Sequence, residues 1–197
     1  AADIAAAISA FLDEAKESLD LALYEIRLNG TAAETVKRAV VDAVQRGVTV
    51  RLAYNVNHPG PVPVPPPPRT QPELLEGLGA ELRAIPGVPD LMHHKFVVRD
   101  RETVWTGSLN WTEDAWTSQE NVVAVVSSPE IAHAFTLDFE DLWNTGSVEG
   151  SGDVEPRPVS VDGVDVRPWF CPEYGDALAH RMAKKITRAR RRVRIAS

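Results

Sequence analysis

The stretch His93-His94-Lys95-Phe96-Val97-Val98-Arg99-Asp100, followed by Gly107-Ser108-Leu109-Asn110, gathers an imidazole, an ammonium, a hydroxyl and a carboxamide in one short region. A neutral imidazole can attack phosphorus and later leave, which divides one difficult displacement into two easier ones. Lys95 brings a compact positive charge, and Ser108 and Asn110 bring oriented donors, to oxygens that gain charge in a transition state. One nucleophile, His93, and three donors make the outline of a phosphate site. The paired histidines also raise metal binding. On a strand, however, they point to opposite faces, and the sole cysteine, Cys171, is remote in sequence. Structural zinc usually needs four clustered ligands, so no metal is expected.

The elements around these residues are expected to bring them together. Leu91 to Arg99 is apolar and β-branched and reads as a strand, with Asp100 in a charged turn and Thr103 to Thr106 as the returning strand. Successive strand side chains alternate faces, so His93 and Lys95 point one way and His94 and Phe96 the other. Ser108 and Asn110 share a parity just beyond the second strand. Asp100 has the wrong parity relative to His93 for direct catalysis and reads as a structural turn and hydrogen-bonding residue. Trp105, Trp111 and Trp116 bracket Gly-Ser-Leu-Asn. They would line a substrate path or the core, with Trp105 assigned to the core because it lies on the return strand.

The remaining chain alternates helix and strand. Ile4 to Lys16 has helical apolar spacing, and Leu19 to Ile26 reads as a buried strand. Thr31-Ala32-Ala33-Glu34 predicts a capping box, opening a helix that stops at Gly47. Strands follow at Val48 to Tyr54, Glu81 to Ile85 and Asn121 to Val126, with a short helix from Pro72 to Leu78. Ser128-Pro129-Glu130 starts a helix that lasts to about Trp143. Alternation of this kind predicts an α/β fold, an α-β-α sandwich on a mixed or largely parallel central sheet. Pro59 to Pro72 holds eight prolines and reads as loop or polyproline II, either a lid beside the site or a surface excursion.

The full string reads H-x-K-x4-D-x6-G-S-x-N from His93 to Asn110, and it resembles the signature of the phospholipase D superfamily. Members of that superfamily cleave or transfer phosphodiesters through a phosphohistidine, without a catalytic metal. The resemblance implies His93 as nucleophile, Lys95 and Asn110 as phosphate-binding catalytic residues with Ser108 close by, and Asp100 and Gly107 as structural members of the motif. It further implies that Glu120, in Ser118-Gln119-Glu120-Asn121, orients the histidine. Such an acceptor fixes the tautomer and stabilises the imidazolium. No cofactor is implied.

Two-lobed members join one histidine from each half, and the second acts as general acid. This chain has one motif, so the partner histidine would come from a second half or from an identical subunit. Shifted by 174 residues, the opening unit reappears at the end. Leu12 falls on Ile186, Ala15 on Ala189, Leu19 on Val193, Leu21 on Ile195 and Ala22 on Ala196. Phe170-Cys171-Pro172-Glu173 also resembles a segment that opens a phospholipase D half. The expected organisation is a first half over 1–146, a linker over 147–168, and the opening helix and strand of a second half over 169–197.

Charge bears on the substrate. Residues 181–194 carry eight Lys or Arg and no acid, so thirteen basic residues face twenty-eight acidic ones in the rest of the chain. An acidic body disfavours a generic nucleic-acid binder and favours a phospholipid or small diester. A nuclease and an inactive diester-binding module remain the alternatives. No apolar run approaches the ~18–20 residues needed to cross a bilayer. The opening Ala1-Ala2-Asp3 lacks a basic n-region and a signal-type apolar stretch, so no targeting or transmembrane segment is expected here; a soluble protein is expected, with secreted and membrane-peripheral placement both left open and the compartment undecided.

Overall fold

The computed structural model describes residues 1–56, 74–86, 91–149 and 151–195. In chain order the elements are α1 (Ala2–Asp13), β1 (Ser18–Leu23), β2 (Ile26–Arg27), α2 (Gly30–Gln45), β3 (Thr49–Val56), β4 (Glu81–Pro86), β5 (Lys95–Arg99), β6 (Thr103–Gly107), β7 (Trp111–Thr112), α3 (Glu113–Thr117), β8 (Val123–Ser127), α4 (Pro129–Thr145), β9 (Val159–Val161), β10 (Val164–Val166) and α5 (Gly175–Thr187). Six strands form one mixed sheet in the order β4-β3-β1-β5-β6-β8. The β1–β3 and β3–β4 pairs are parallel, whereas β5 runs antiparallel to β1 and to β6, and β6 to β8. The α-β-α architecture and the mixed sheet are those expected from the sequence.

Strand alternation sorts the core into two layers. Leu19, Leu21, Leu52 and Val97 face α1 and α2, joined by Ile8, Leu12, Val36 and Val40. Ala22, Ala53, Phe96 and Val98 face the other way, against Ile131, Phe139 and Leu142 of α4. Arg51 ties α4 to the parallel half of the sheet. Its Nε donates to Asp20 Oδ1 at 2.8 Å and an Nη to Glu140 Oε1 at 2.7 Å, with its guanidinium over the Phe139 ring. Burial raises the Asp20 pKa above its ordinary value, against the opposing hydrogen bond and charge of Arg51.

Local signals held in some places and failed in others. Gly47 ends α2 at φ +88°, with its N–H on the Val44 carbonyl and the Val48 N–H on the Ala43 carbonyl, a Schellman arrangement. Ser128 caps α4 by accepting from the Ile131 N–H, and Gly146 closes it in the left-handed region. The capping box at Thr31 does not form. Helix α2 begins two residues earlier, with Asn29 as extended cap residue and Gly30 at φ +57°, so Thr31 already sits inside it. Its carbonyl accepts from the Thr35 hydroxyl instead. The expected strand from Leu19 splits at Tyr24–Glu25 into β1 and β2. The short helix at Pro72 to Leu78 reduces, in its described part, to a turn that buries Leu75 and Leu78. Pro59 to Pro72 lies outside the described residues.

Beyond α4 the chain packs back on the α4 face. Val148, Ser151 and Val154 are buried, and the β9–β10 hairpin sets Val159, Val161 and Val166 against that core. Helix α5 buries no residue. No strand forms at 193–195, where the chain has no neighbouring strand with which to pair; Ala196 lies outside the described residues.

Candidate active site

The site is built where β1 leaves the sheet. The Tyr24 N–H donates to the His94 carbonyl at 2.8 Å, and the Trp111 N–H donates to the Glu25 carbonyl at 3.2 Å. The parallel β2–β7 pair, Ile26 with Trp111, extends that second link. The Tyr24–Glu25 corner therefore joins the histidine-lysine segment to the Gly-Ser-Leu-Asn segment. Sequence reasoning missed it. The available signal was a tyrosine and a glutamate directly after the apolar run Leu21 to Leu23.

His93 and Lys95 meet on the Tyr24 ring. The imidazole packs edge-to-face at 4.5 Å between centroids, and Lys95 Nζ lies 4.7 Å from the ring centre. Lys95 Nζ also donates to the His93 carbonyl at 2.7 Å. The two side chains share a side, although β5 begins only at Lys95 and His93 precedes it. Burial pulls Lys95 down to about 8, against the opposing pull of Glu25. Burial also lowers His93 below its ordinary value, helped by the charges of Lys95 and His94. The direction of this shift favours the neutral imidazole, the state a nucleophile needs.

His94 points the other way, toward α4. Its Nε2 lies 2.9 Å from Oδ2 of the fully buried Asp138, and its ring packs against Phe96. Asp138 was not singled out in the sequence, because one acid on a helical face carries no motif. Among the described residues no three His, Cys, Asp or Glu side chains gather as a metal-holding group.

The remaining motif residues divide. Asp100, at φ +54°, accepts from the backbone N–H groups of Lys16, Glu17 and Ser18, which locks the β5–β6 turn to the start of β1. Burial opposes its ionisation, but the donors of Ser18, Glu17 and Lys16 outweigh it and hold the carboxyl below the usual range. Gly107 is a place of close approach: a Cβ there would meet the Val122 carbonyl oxygen at 2.0 Å. The Ser108 hydroxyl donates to Asn121 Oδ1 at 2.9 Å and accepts from the Val122 N–H, so it serves its own loop. The Asn110 carbonyl accepts from Trp116 Nε1 at 2.8 Å, and its side-chain Oδ1 is buried without a hydrogen bond. Glu120 is exposed after α3, and no hydrogen bond joins it to His93. Trp111 and Trp116 are buried at 3% and 4% exposure, which places them in the core and not on a substrate path.

A groove of about 470 Å³ opens beside the pair. His93, His94, Lys95, Thr106 and Gly107 line it, while Ser108, Asn110 and Glu120 do not. The structure therefore brings His93 and Lys95 together at a cavity whose lining does not include Asn110.

Comparisons with known proteins agree with this architecture. The family model described as "Cardiolipin synthase, PLD-like domain" matches residues 8–143. The mitochondrial cardiolipin hydrolase of Homo sapiens is 32% identical over 129 residues, covering 66% of this chain and 46% of that protein. The chain spans about half the length of the curated relatives it matches. Among solved structures, the phospholipase D family member Nuc from Salmonella typhimurium is 27% identical with a TM-score of 0.56, over 71% of this chain and 86% of that one. NucT from Helicobacter pylori, at 18% identity, shares the fold with a TM-score of 0.59 over 73% of this chain and 89% of that one.

Proposed function

Since the chain belongs to the family of phospholipase D-like domains, we propose that it cleaves or transfers a phosphodiester, that of a phospholipid, through a phosphohistidine on His93. The observation that carries this reading is the His93–Lys95 pair on the Tyr24 ring, at the edge of the groove. In the first step a nitrogen of neutral His93 forms a bond to phosphorus and one P–O ester bond breaks. The departing alkoxide takes a proton from a general acid. In the second step water, or an alcohol in the transfer reaction, gives its proton to that same group, now deprotonated, forms a bond to phosphorus, and the P–N bond to His93 breaks. Lys95 compensates the charge that develops on the non-bridging oxygens, and Asn110 supplies a carboxamide donor. Glu120 is assigned as the acceptor that orients the imidazole in the assembled enzyme.

The general acid is assigned to a second imidazole, from a second phospholipase D-like half or an identical subunit. Helix α5 supports the second half. At the shift of 174, the buried Ile8, Leu12, Leu19 and Leu21 correspond to Met182, Ile186, Val193 and Ile195, which are 46–76% exposed. The tail therefore repeats an apolar face that α1 and β1 bury in the first half. A phospholipid diester fits the acidic body and the name of the human relative, a cardiolipin hydrolase.

The test is a parallel assay of the full natural polypeptide containing this chain, on cardiolipin and phosphatidylcholine vesicles and on single-stranded DNA. Release of phosphatidic acid or phosphatidyl products, abolished by His93→Ala, is expected. Cleavage of DNA with intact lipid would transfer the chemistry to nucleic acid. Undiminished lipid cleavage by folded His93→Ala protein would remove His93 from the mechanism.

A further inference from the structure

The groove beside His93 and Lys95 has a second wall that no part of the phosphate chemistry uses. That wall is lined by Leu91, Phe135 of α4, and Trp169 and Phe170 of the returning tail. Leu91 is 41% exposed, and Phe135 and Trp169 are half-buried, so large apolar surface stays open to the cavity. Among the described residues that line this groove there is no carboxylate. Its volume falls within the ~300–1,000 Å³ typical of small-molecule sites.

The wall is anchored. Phe96, Phe135 and Phe170 form a chain of edge-to-face contacts, with centroids 5.1 and 5.0 Å apart, from β5 across α4 to the tail. Gly152, at φ +83°, passes so close beneath the tail that a Cβ there would lie 3.2 Å from the Cys171 backbone. Because the phenylalanine rings are turned edge-to-face onto one another, they present no parallel pair of faces to sandwich a nucleobase. Flexible aliphatic chains fill such a surface better.

We propose that this groove is the subsite for an apolar substituent of the diester, an alkyl or acyl-glyceryl chain, received while phosphorus lies against His93 and Lys95. The proposal rests on the diesterase reading and adds to it the place where the lipid part is recognised.

The experiment compares dimethyl phosphate, dibutyl phosphate and a thymidine dinucleotide on the complete natural polypeptide containing this chain by calorimetry. All three carry one diester charge. A buried methylene is worth roughly fourfold in affinity, so dibutyl phosphate should bind about tenfold or more tighter than dimethyl phosphate. Trp169→Ala should flatten that preference, and Leu82→Ala, on exposed β4, should keep it. Cys171, the chain's sole cysteine, is exposed and lines the same groove, so it reports occupancy without refolding the protein. Dibutyl phosphate should slow its reaction with N-cyclohexylmaleimide, and the modified protein should lose the preference for the longer diester. Equal affinity for the two alkyl diesters would overturn the groove and leave the diesterase reading intact. Tighter binding of the dinucleotide, with protection of Cys171, would overturn the apolar occupant. Binding of none of the three would overturn both readings.

Discussion

Lys95 gives the site a pH dependence that an ordinary lysine would not have. Burial brings its pKa to about 8, so it is about nine-tenths protonated at pH 7 and one-tenth at pH 9. An unperturbed lysine, near ~10.4, would lose only a few per cent of its charge over the same range. A dialkyl phosphate remains a monoanion throughout, the His93 pKa is shifted down, away from this range, and burial moves Tyr24 above its ordinary value. If the ammonium holds the anion, affinity for dimethyl phosphate should fall roughly tenfold between pH 7 and pH 9, in step with the charge. Calorimetry at several pH values measures this directly. Lys95→Met should bind weakly and without that fall, whereas an arginine at this position, in Lys95→Arg, should extend whatever binding it retains to higher pH. The linkage to folding has the opposite sign. Between about pH 8 and the unfolded value the unfolded chain holds more protons, so this group favours the folded state as pH rises. Lys95→Met should therefore not lower Tm at pH 7. Wild-type affinity that stays level to pH 10, or the same fall in Lys95→Met, would refute the reasoning.

Asp100→Ala strips three backbone N–H groups of their acceptor and should cost about 1–3 kcal/mol in denaturant unfolding. Because the folded-state carboxyl is depressed, its contribution is present above the ordinary carboxylate pKa and is lost as pH falls through the folded value, so wild type and variant should converge in strong acid. Gly107→Ala places a Cβ against the Val122 carbonyl and should destabilise by about 3 kcal/mol or more, or prevent β6–β8 pairing, read by circular dichroism and melting. His94→Ala leaves Asp138 buried without its imidazole neighbour and should lower Tm, while sparing more activity in the complete enzyme than His93→Ala. Tyr24→Phe should keep the ring that both functional side chains touch and retain activity; Tyr24→Leu should lower kcat at least tenfold and shift the Lys95 titration observed by NMR.

Much of the fold was legible because its signals are local. Alternating apolar runs located β1, β3, β6 and β8, and the Ser128-Pro129 start and Gly47 stop marked helix ends whose caps form as expected. The Thr31 capping box failed because the chain leaving β2 reaches its helical path at Gly30, a tertiary constraint that outranks the local pattern. Strand parity placed His93 and Lys95 on one side and His94 on the other. It did not place Ser108, whose hydroxyl bonds Asn121 and Val122, residues separated from it by α3. The Tyr24–Glu25 corner, Asp138 and the tail wall of the groove were invisible because each is made by contacts between distant segments, and no spacing rule encodes those.

The central claim is the covalent intermediate on His93. The complete natural polypeptide would be mixed with a diester labelled at phosphorus, quenched in base within the first turnovers, and its peptides analysed by mass spectrometry. An acid-labile, base-stable phosphoryl group on His93, absent from His93→Ala protein, is the expected result. Turnover with no label on His93, or with label on another residue, would contradict the account.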